Sequence, residues 1–182
     1  MKKLKFVVLG FVLLTFIVAA CESPSSSDTP ATDGFELNKG ITSTNIENNS
    51  SNATLNQELA LARSSTAKYH NINKALADGY IDIGLYIPNM GWHYMDTTLV
   101  DENFEIDKPE LLVYAEKPNG GLRLVAVEYA VPLALSSNPP EGFTGDDDVW
   151  HENIGAGLWT LHAWVWLHNP DGVFADFNPN VP

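Results

Sequence analysis

The sequence predicts an α+β domain in which one N-terminal amphipathic helix packs on a curved, mainly antiparallel sheet or partly open barrel, and three observations predict it. Apolar residues recur at three- and four-residue spacing only between Leu55 and Leu76. After Gly79 the period changes to alternation, the signature of strands. The segments around Lys117-Pro118-Asn119-Gly120-Gly121 form the clearest hairpin, and both arms are apolar on both faces. Such arms belong to a sheet that is covered on both sides or curled on itself.

Ahead of the helix, residues 1–20 carry Lys2, Lys3 and Lys5 and then an apolar run that is short for a bilayer span, the pattern of an export signal. Val18-Ala19-Ala20-Cys21 resembles the lipobox of bacterial lipoproteins. The resemblance implies that Cys21 is lipidated and becomes the first residue of the mature chain, held at a membrane surface by its acyl chains. Cys21 is the sole cysteine, so an acylated Cys21 leaves no thiol for disulfides, thiolate metal sites or nucleophilic chemistry. All 23 acidic residues follow it, against seven of the ten basic ones, leaving a formal charge of −16 after the leader. That balance repels phosphate backbones and excludes nucleic acid as a partner. The expected address is the cell envelope, on a periplasmic or cell-surface face, with an envelope component or a small ligand as further partner.

Residues 21–53 are rich in Ser, Thr, Asn, Asp and Pro and read as a disordered tether of roughly 30 Å mean reach. The globular domain is expected over residues 54–182. Thr54 with Gln57 has the spacing of a capping box, and the helix is expected over residues 54–78, closed by Gly79 in the left-handed region. His70 falls on its polar side with Arg63 and Lys74. Strands follow at residues 80–87 and 92–95, then the hairpin at 111–116 and 122–131. In the second arm Glu128 shares a face with Leu124, Ala126 and Ala130, an apolar setting in which a carboxylate needs partners. Residues 132–149 make a long acidic loop, read as solvated because Asp146-Asp147-Asp148 lacks the spacing of a calcium loop.

The most constrained stretch is residues 158–178. An extended strand there places His162, Trp164, Trp166 and His168 on one face, with a second short strand at residues 173–177 returning beside it. No nucleophile elbow, phosphate loop, zinc-protease helix or dinucleotide fingerprint is present. Histidine placement is the remaining chemical signal. Neutral imidazoles with one carboxylate suit Zn, Mn, Fe or Cu. His162 and His168 stand roughly 20 Å apart along an extended strand, too far to share an ion. The candidate metal ligands are therefore His93, Glu128 and His162, with His151 on the loop as a fourth and His168 supporting the Asn169-Pro170 turn. The site is read as binding rather than catalytic; a metal-assisted hydrolase or oxygenase would need an open coordination position. The alternative is a non-enzymatic module that binds a small apolar ligand or sugar through Tyr94, Trp164 and Trp166. A third account gives the histidines only carbonyl partners at a sheet rim.

The segments Ala67-Lys68-Tyr69 to Ala77-Asp78-Gly79-Tyr80, Met90-Gly91-Trp92-His93-Tyr94, Pro109-Glu110-Leu111-Leu112-Val113-Tyr114, Leu122-Arg123-Leu124-Val125-Ala126-Val127-Glu128-Tyr129 and Leu161-His162-Ala163-Trp164-Val165-Trp166-Leu167-His168-Asn169-Pro170 resemble, in that order, a family of exported bacterial proteins of unknown function. The resemblance covers nearly all of the chain after the tether. It implies a single domain and assigns no catalytic role. Trp92 stands where a smaller or plainer apolar residue is expected, which bears on the width of any pocket beside His93.

Overall fold

The computed structural model describes residues 43–182. The expected leader, Cys21 and most of the expected tether lie outside these residues. Helix α1 spans Ser43–Thr66, a single 3-10 turn follows at Ala67–His70, and α2 spans Ile72–Ala77. Six strands then form one sheet: β1 Ile81–Ile87, β2 Gly91–Met95, β3 Leu111–Glu116, β4 Leu122–Pro132, β5 His151–Asn153 and β6 Leu158–Ala163. The sheet is curled into a half-barrel, every pair is antiparallel, and the order is β1-β2-β3-β4-β6-β5.

The helical region differs from the single helix expected over residues 54–78. Helix α1 is already formed at Ser43, and Thr54 is no cap: its hydroxyl donates back to Ser50 O at 3.1 Å from within the helix. The break comes at Asn71, which is extended (φ −93°, ψ 103°) and whose Oδ1 accepts from Asn73 N to cap α2. Resetting the helix there turns Ala75 inward and leaves Leu76 exposed, although helical spacing alone puts Leu76 on the apolar face. The expected end does form. Gly79 has φ +113°, and Tyr80 N donates to Ala75 O across it at 3.0 Å.

The two faces of the sheet have different coverings. Tyr94, Leu112, Tyr114, Val127, Tyr129, Val131 and Leu161 pack with Leu59, Ala62 and Tyr69 of the helical layer into the main core. Tyrosine hydroxyls in this core are spent on main-chain carbonyls: Tyr114 donates to Tyr69 O at 2.7 Å and Tyr129 to Ile106 O at 2.8 Å. The acidic loop closes one side of it through buried Phe143, and Glu58 of α1 accepts from both Thr144 N and its hydroxyl at 2.8 Å. Val113, Ala115, Val125, Ala126, Trp164 and Val181 form a smaller cluster on the opposite face. The edge strands are the exceptions to two-sided cover: Ile81, Ile83, Leu85 and Tyr86 of β1 are exposed, as are all three residues of β5.

A bulge decides which residues of β4 look which way. The β3–β4 register shifts between Val113 and Tyr114, so that Val125 joins the smaller cluster and Leu124 the main core. Leu124 therefore does not share a face with Glu128, contrary to strict alternation. The expected long strand through His168 also stops early. After Ala163, the Val165 N–H donates back to Ala163 O at 2.8 Å, and Trp166 and Leu167 both donate to Val125 O, at 3.2 and 3.1 Å. One carbonyl thus takes the donors that a continuing ladder would distribute, and the chain leaves the sheet.

No strand forms at residues 173–177; that segment is irregular and is held to the sheet by the donation from Trp164 N to Val173 O at 2.8 Å. The chain then crosses to the β1–β2 turn. Asn178 N donates to Asn89 O at 2.8 Å, Asn89 N donates to Pro182 O at 3.0 Å, and Tyr86 adds a hydroxyl bond to Pro182 O at 2.8 Å. Asn89 takes φ 63° to make this exchange, a conformation asparagine tolerates better than most residues.

Candidate metal centre

The site lies on the face opposite the helices, where β2, β4 and β6 each contribute one polar side chain. Glu128 and His162 are direct cross-strand partners, so their side chains rise from the same face. His93 belongs to β2, paired with Val113 of β3, and β3 separates it from β4. Strands two apart are roughly 9–10 Å from one another. The curl of the sheet and the length of the two side chains close that gap over β3.

His93 Nε2 lies 3.6 Å from Glu128 Oε2, and His162 Nδ1 lies 3.8 Å from Glu128 Oε1. One donor atom from each of the three residues falls within 4.8 Å of the others. A tetrahedral ion with bonds of ~2.1 Å separates its ligands by ~3.4 Å. The two contacts, each to a different Glu128 oxygen, are within a few tenths of that value, and the three donors would draw in from their 4.8 Å spread to hold one ion. All three residues are buried.

The protonation of the site follows from its surroundings. A bulge in β1, with Gly84 at φ +69°, aims the Leu85 carbonyl at His93, whose Nδ1–H donates to it at 3.3 Å. In the tautomer that makes this bond, Nε2 faces the carboxylate as a lone pair, the outer-sphere arrangement that orients a ligating imidazole. Two acceptors that face each other at 3.6 Å repel unless a proton or a cation lies between them. His162 stacks on Trp164 with ring planes 17° apart, and its Nε2 is buried with no hydrogen-bond partner among the described residues.

Burial pushes the Glu128 carboxyl up to about 7, against the opposing pull of His93 and the Thr160 hydroxyl. Burial also lowers both imidazoles, His162 to about 4 and His93 below the usual histidine range. Near neutral pH the histidines are therefore uncharged bases, the form that ligates a metal.

A cavity of about 380 Å³ opens beside the three residues. Leu85, Ile87, Met90 and Ile154 supply its apolar wall, and His151 and Asp176 stand at its polar side. His151 Nε2 is 3.1 Å from Asp176 Oδ1, with half of the His151 side chain exposed.

Of the residues singled out from sequence, the structure brings His93, Glu128 and His162 together and leaves His151 as a lining residue paired with Asp176. His168 contributes its carbonyl, which accepts from Asn178 Nδ2 and Asn180 Nδ2 at 3.2 Å each. The aromatic set is dispersed. Tyr94 packs edge-on to Tyr114 in the helix-side core, 5.1 Å between centroids. Trp164 lies on the opposite face against His162, with its indole N–H donating to Ala175 O. Trp166 reaches the helical layer, where its N–H donates to Thr66 Oγ1 at 3.1 Å and its ring meets His70. For the two tryptophans the early end of β6 is the physical reason: without an extended strand after Ala163, alternate residues no longer share a face; Tyr94 alternates with His93 on β2 and so faces the helix-side core.

Sequence reasoning missed Asp176, Thr160 and the Leu85 carbonyl. Asp176 had one visible sign, a lone carboxylate inside the otherwise apolar Val173-Phe174-Ala175-Asp176-Phe177. No family model matches this chain, and no curated protein or solved structure matches it either.

Proposed function

We propose that this protein binds one divalent transition metal through His93, Glu128 and His162. The observation that carries the reading is the convergence, in a buried site, of one donor atom each from His93, Glu128 and His162 within 4.8 Å of one another. A cation resolves the acceptor–acceptor conflict and draws together donors that burial already holds in ligating form. Zn, Mn, Fe and Cu all suit a set of two nitrogens and one carboxylate oxygen; His151, half exposed and paired with Asp176, is not among the three residues whose donor atoms converge.

The domain works, in this reading, at the cell envelope, exported by the leader and held by lipid on Cys21. Support comes from the order of the leader: basic, apolar, small residues before cysteine, then polar. Among the described residues no helix is long and apolar enough to cross a membrane.

Elemental analysis of the untagged protein beside a His93→Ala, His162→Ala double variant tests the metal reading. Near-stoichiometric metal in the wild type and none in a folded variant is the expected result. Equal metal content in the two proteins rejects the assigned ligands, and none in either after incubation with zinc rejects the site. Radiolabelled palmitate incorporated by the wild type, and not by Cys21→Ser, is the expected outcome for the anchor.

A further inference from the structure

We propose that the cavity is the seat of a small organic ligand that coordinates the metal through an oxygen head of single negative charge and lays an apolar tail on Leu85, Ile87 and Met90. This inference rests on the metal reading and adds to it the chemistry of the second ligand. Three protein donors leave a transition ion with at least one position to fill, and the cavity lies on the side of the cluster that the strands do not cover.

Charge selects the head. A divalent ion with the Glu128 carboxylate retains one positive charge in a buried site, and one ligand anion neutralises it at least cost. A multiply charged anion meets the Asp176 carboxylate at the cavity's polar side. Asp176 also gives the ligand an acceptor: its Oδ1 is held by His151 at 3.1 Å, leaving Oδ2 for an N–H or O–H of the bound head. Size and shape select the tail. About 380 Å³ is at the small end of ligand cavities, and Leu85, Ile87, Met90 and Ile154 give its lining an aliphatic part. Alkyl hydroxamates combine a monoanionic oxygen chelate, an N–H donor and an adjustable tail, and they serve as the probe.

The experiment uses the full-length chain in detergent, loaded with Co(II), whose visible spectrum reports its coordination. A series from acetohydroxamate to hexanoyl hydroxamate is expected to change that spectrum at a one-to-one ratio, with cobalt retained on ultrafiltration. Affinity is expected to rise by up to about fourfold per added methylene until the wall is filled. Phosphate and citrate are expected to leave the spectrum unchanged.

Two variants separate the cavity from partition into detergent. Leu85→Ser keeps the backbone carbonyl that orients His93 and is expected to keep cobalt while flattening the chain-length series. Asp176→Asn is expected to keep cobalt and weaken every hydroxamate by about tenfold. A flat series in the wild type, a response to citrate as strong as to hydroxamate, cobalt stripped by the probe, or a series that neither variant alters overturns the proposal and leaves the metal reading standing. A chain that takes up no cobalt overturns both.

Discussion

Replacing Glu128 with Gln is expected to move the protein in opposite directions with and without metal. Burial lifts the Glu128 carboxyl from 4.5 to about 7 in the folded, metal-free protein. The folded state therefore holds a proton that the unfolded state releases across that window, and stability falls as pH rises from 4.5 through about 7, then levels off. At 1.36 kcal/mol per unit, the ionised carboxylate costs the apo protein about 3 kcal/mol near pH 8, an upper bound because the denatured chain is not fully solvated. Gln removes that cost. Its amide N–H also faces the His93 Nε2 lone pair, converting an acceptor–acceptor contact into a donor–acceptor one.

Thermal melts in a metal chelator from pH 5 to 9 measure the first half of this prediction. Glu128→Gln is expected to melt about 5–10 °C above the wild type near pH 8 and to show no advantage at the acidic end. Zinc measures the second half. Saturation at a hundredfold over Kd stabilises the wild type by about 2.7 kcal/mol, increasingly so as pH rises through 7 and the carboxylate sheds its proton. The variant, lacking the anionic ligand, is expected to gain little. A chelated variant that melts below the wild type near pH 8 refutes the argument, since the carboxylate would then be stabilised by its surroundings. A zinc shift of equal size in both proteins places the ion elsewhere.

Three other substitutions probe the frame around the site. Glu110, just ahead of β3, is buried, accepts from Ala130 N at 3.0 Å, and is raised to about 8 by burial; it adds a second loss of stability between pH 4.5 and 8. Glu110→Gln keeps an oxygen for Ala130 and is expected to flatten that part of the pH–stability curve measured by urea unfolding. Gly91 has φ +116°, and a Cβ there would stand 2.4 Å from Tyr114 O. Gly91→Ala is therefore expected to cost more than the ~1–2 kcal/mol of a strained backbone alone, read as a lowered urea midpoint or loss of soluble protein. Thr66→Val removes the acceptor for the Trp166 indole and is expected to cost about 1–3 kcal/mol, with a shift in tryptophan emission.

The strands were legible where local chemistry and the global fold agree. Lys117-Pro118-Asn119-Gly120-Gly121 is short and turn-forming, so the β3–β4 hairpin could be read from the sequence without knowing what it packs against. Glu128 stood out for a related reason: a carboxylate on an apolar strand is costly, and the cost is visible before any partner is known. The helix break and the end of β6 depend on competition that sequence spacing does not display. Asn71 diverts the helix with its own side chain, and Val125 O collects two donors from a segment some forty residues away.

That second competition also sorts the aromatics. Had β6 continued, Trp164 and Trp166 would share a face with His162 as the pattern implies. Because the chain turns at Ala163, Trp164 remains on His162 while Trp166 is drawn to Thr66 and Arg63 Nε donates to Val165 O at 2.7 Å. The same kink lets residues 173–176 fold back over the sheet, which brings Asp176 to the cavity. The loss of the aromatic face and the arrival of the carboxylate that strict alternation hides are thus one structural event. For this reason the three residues of the candidate metal cluster, all of them on regular strands, could be read from pattern, whereas the groups that would meet a second ligand could not.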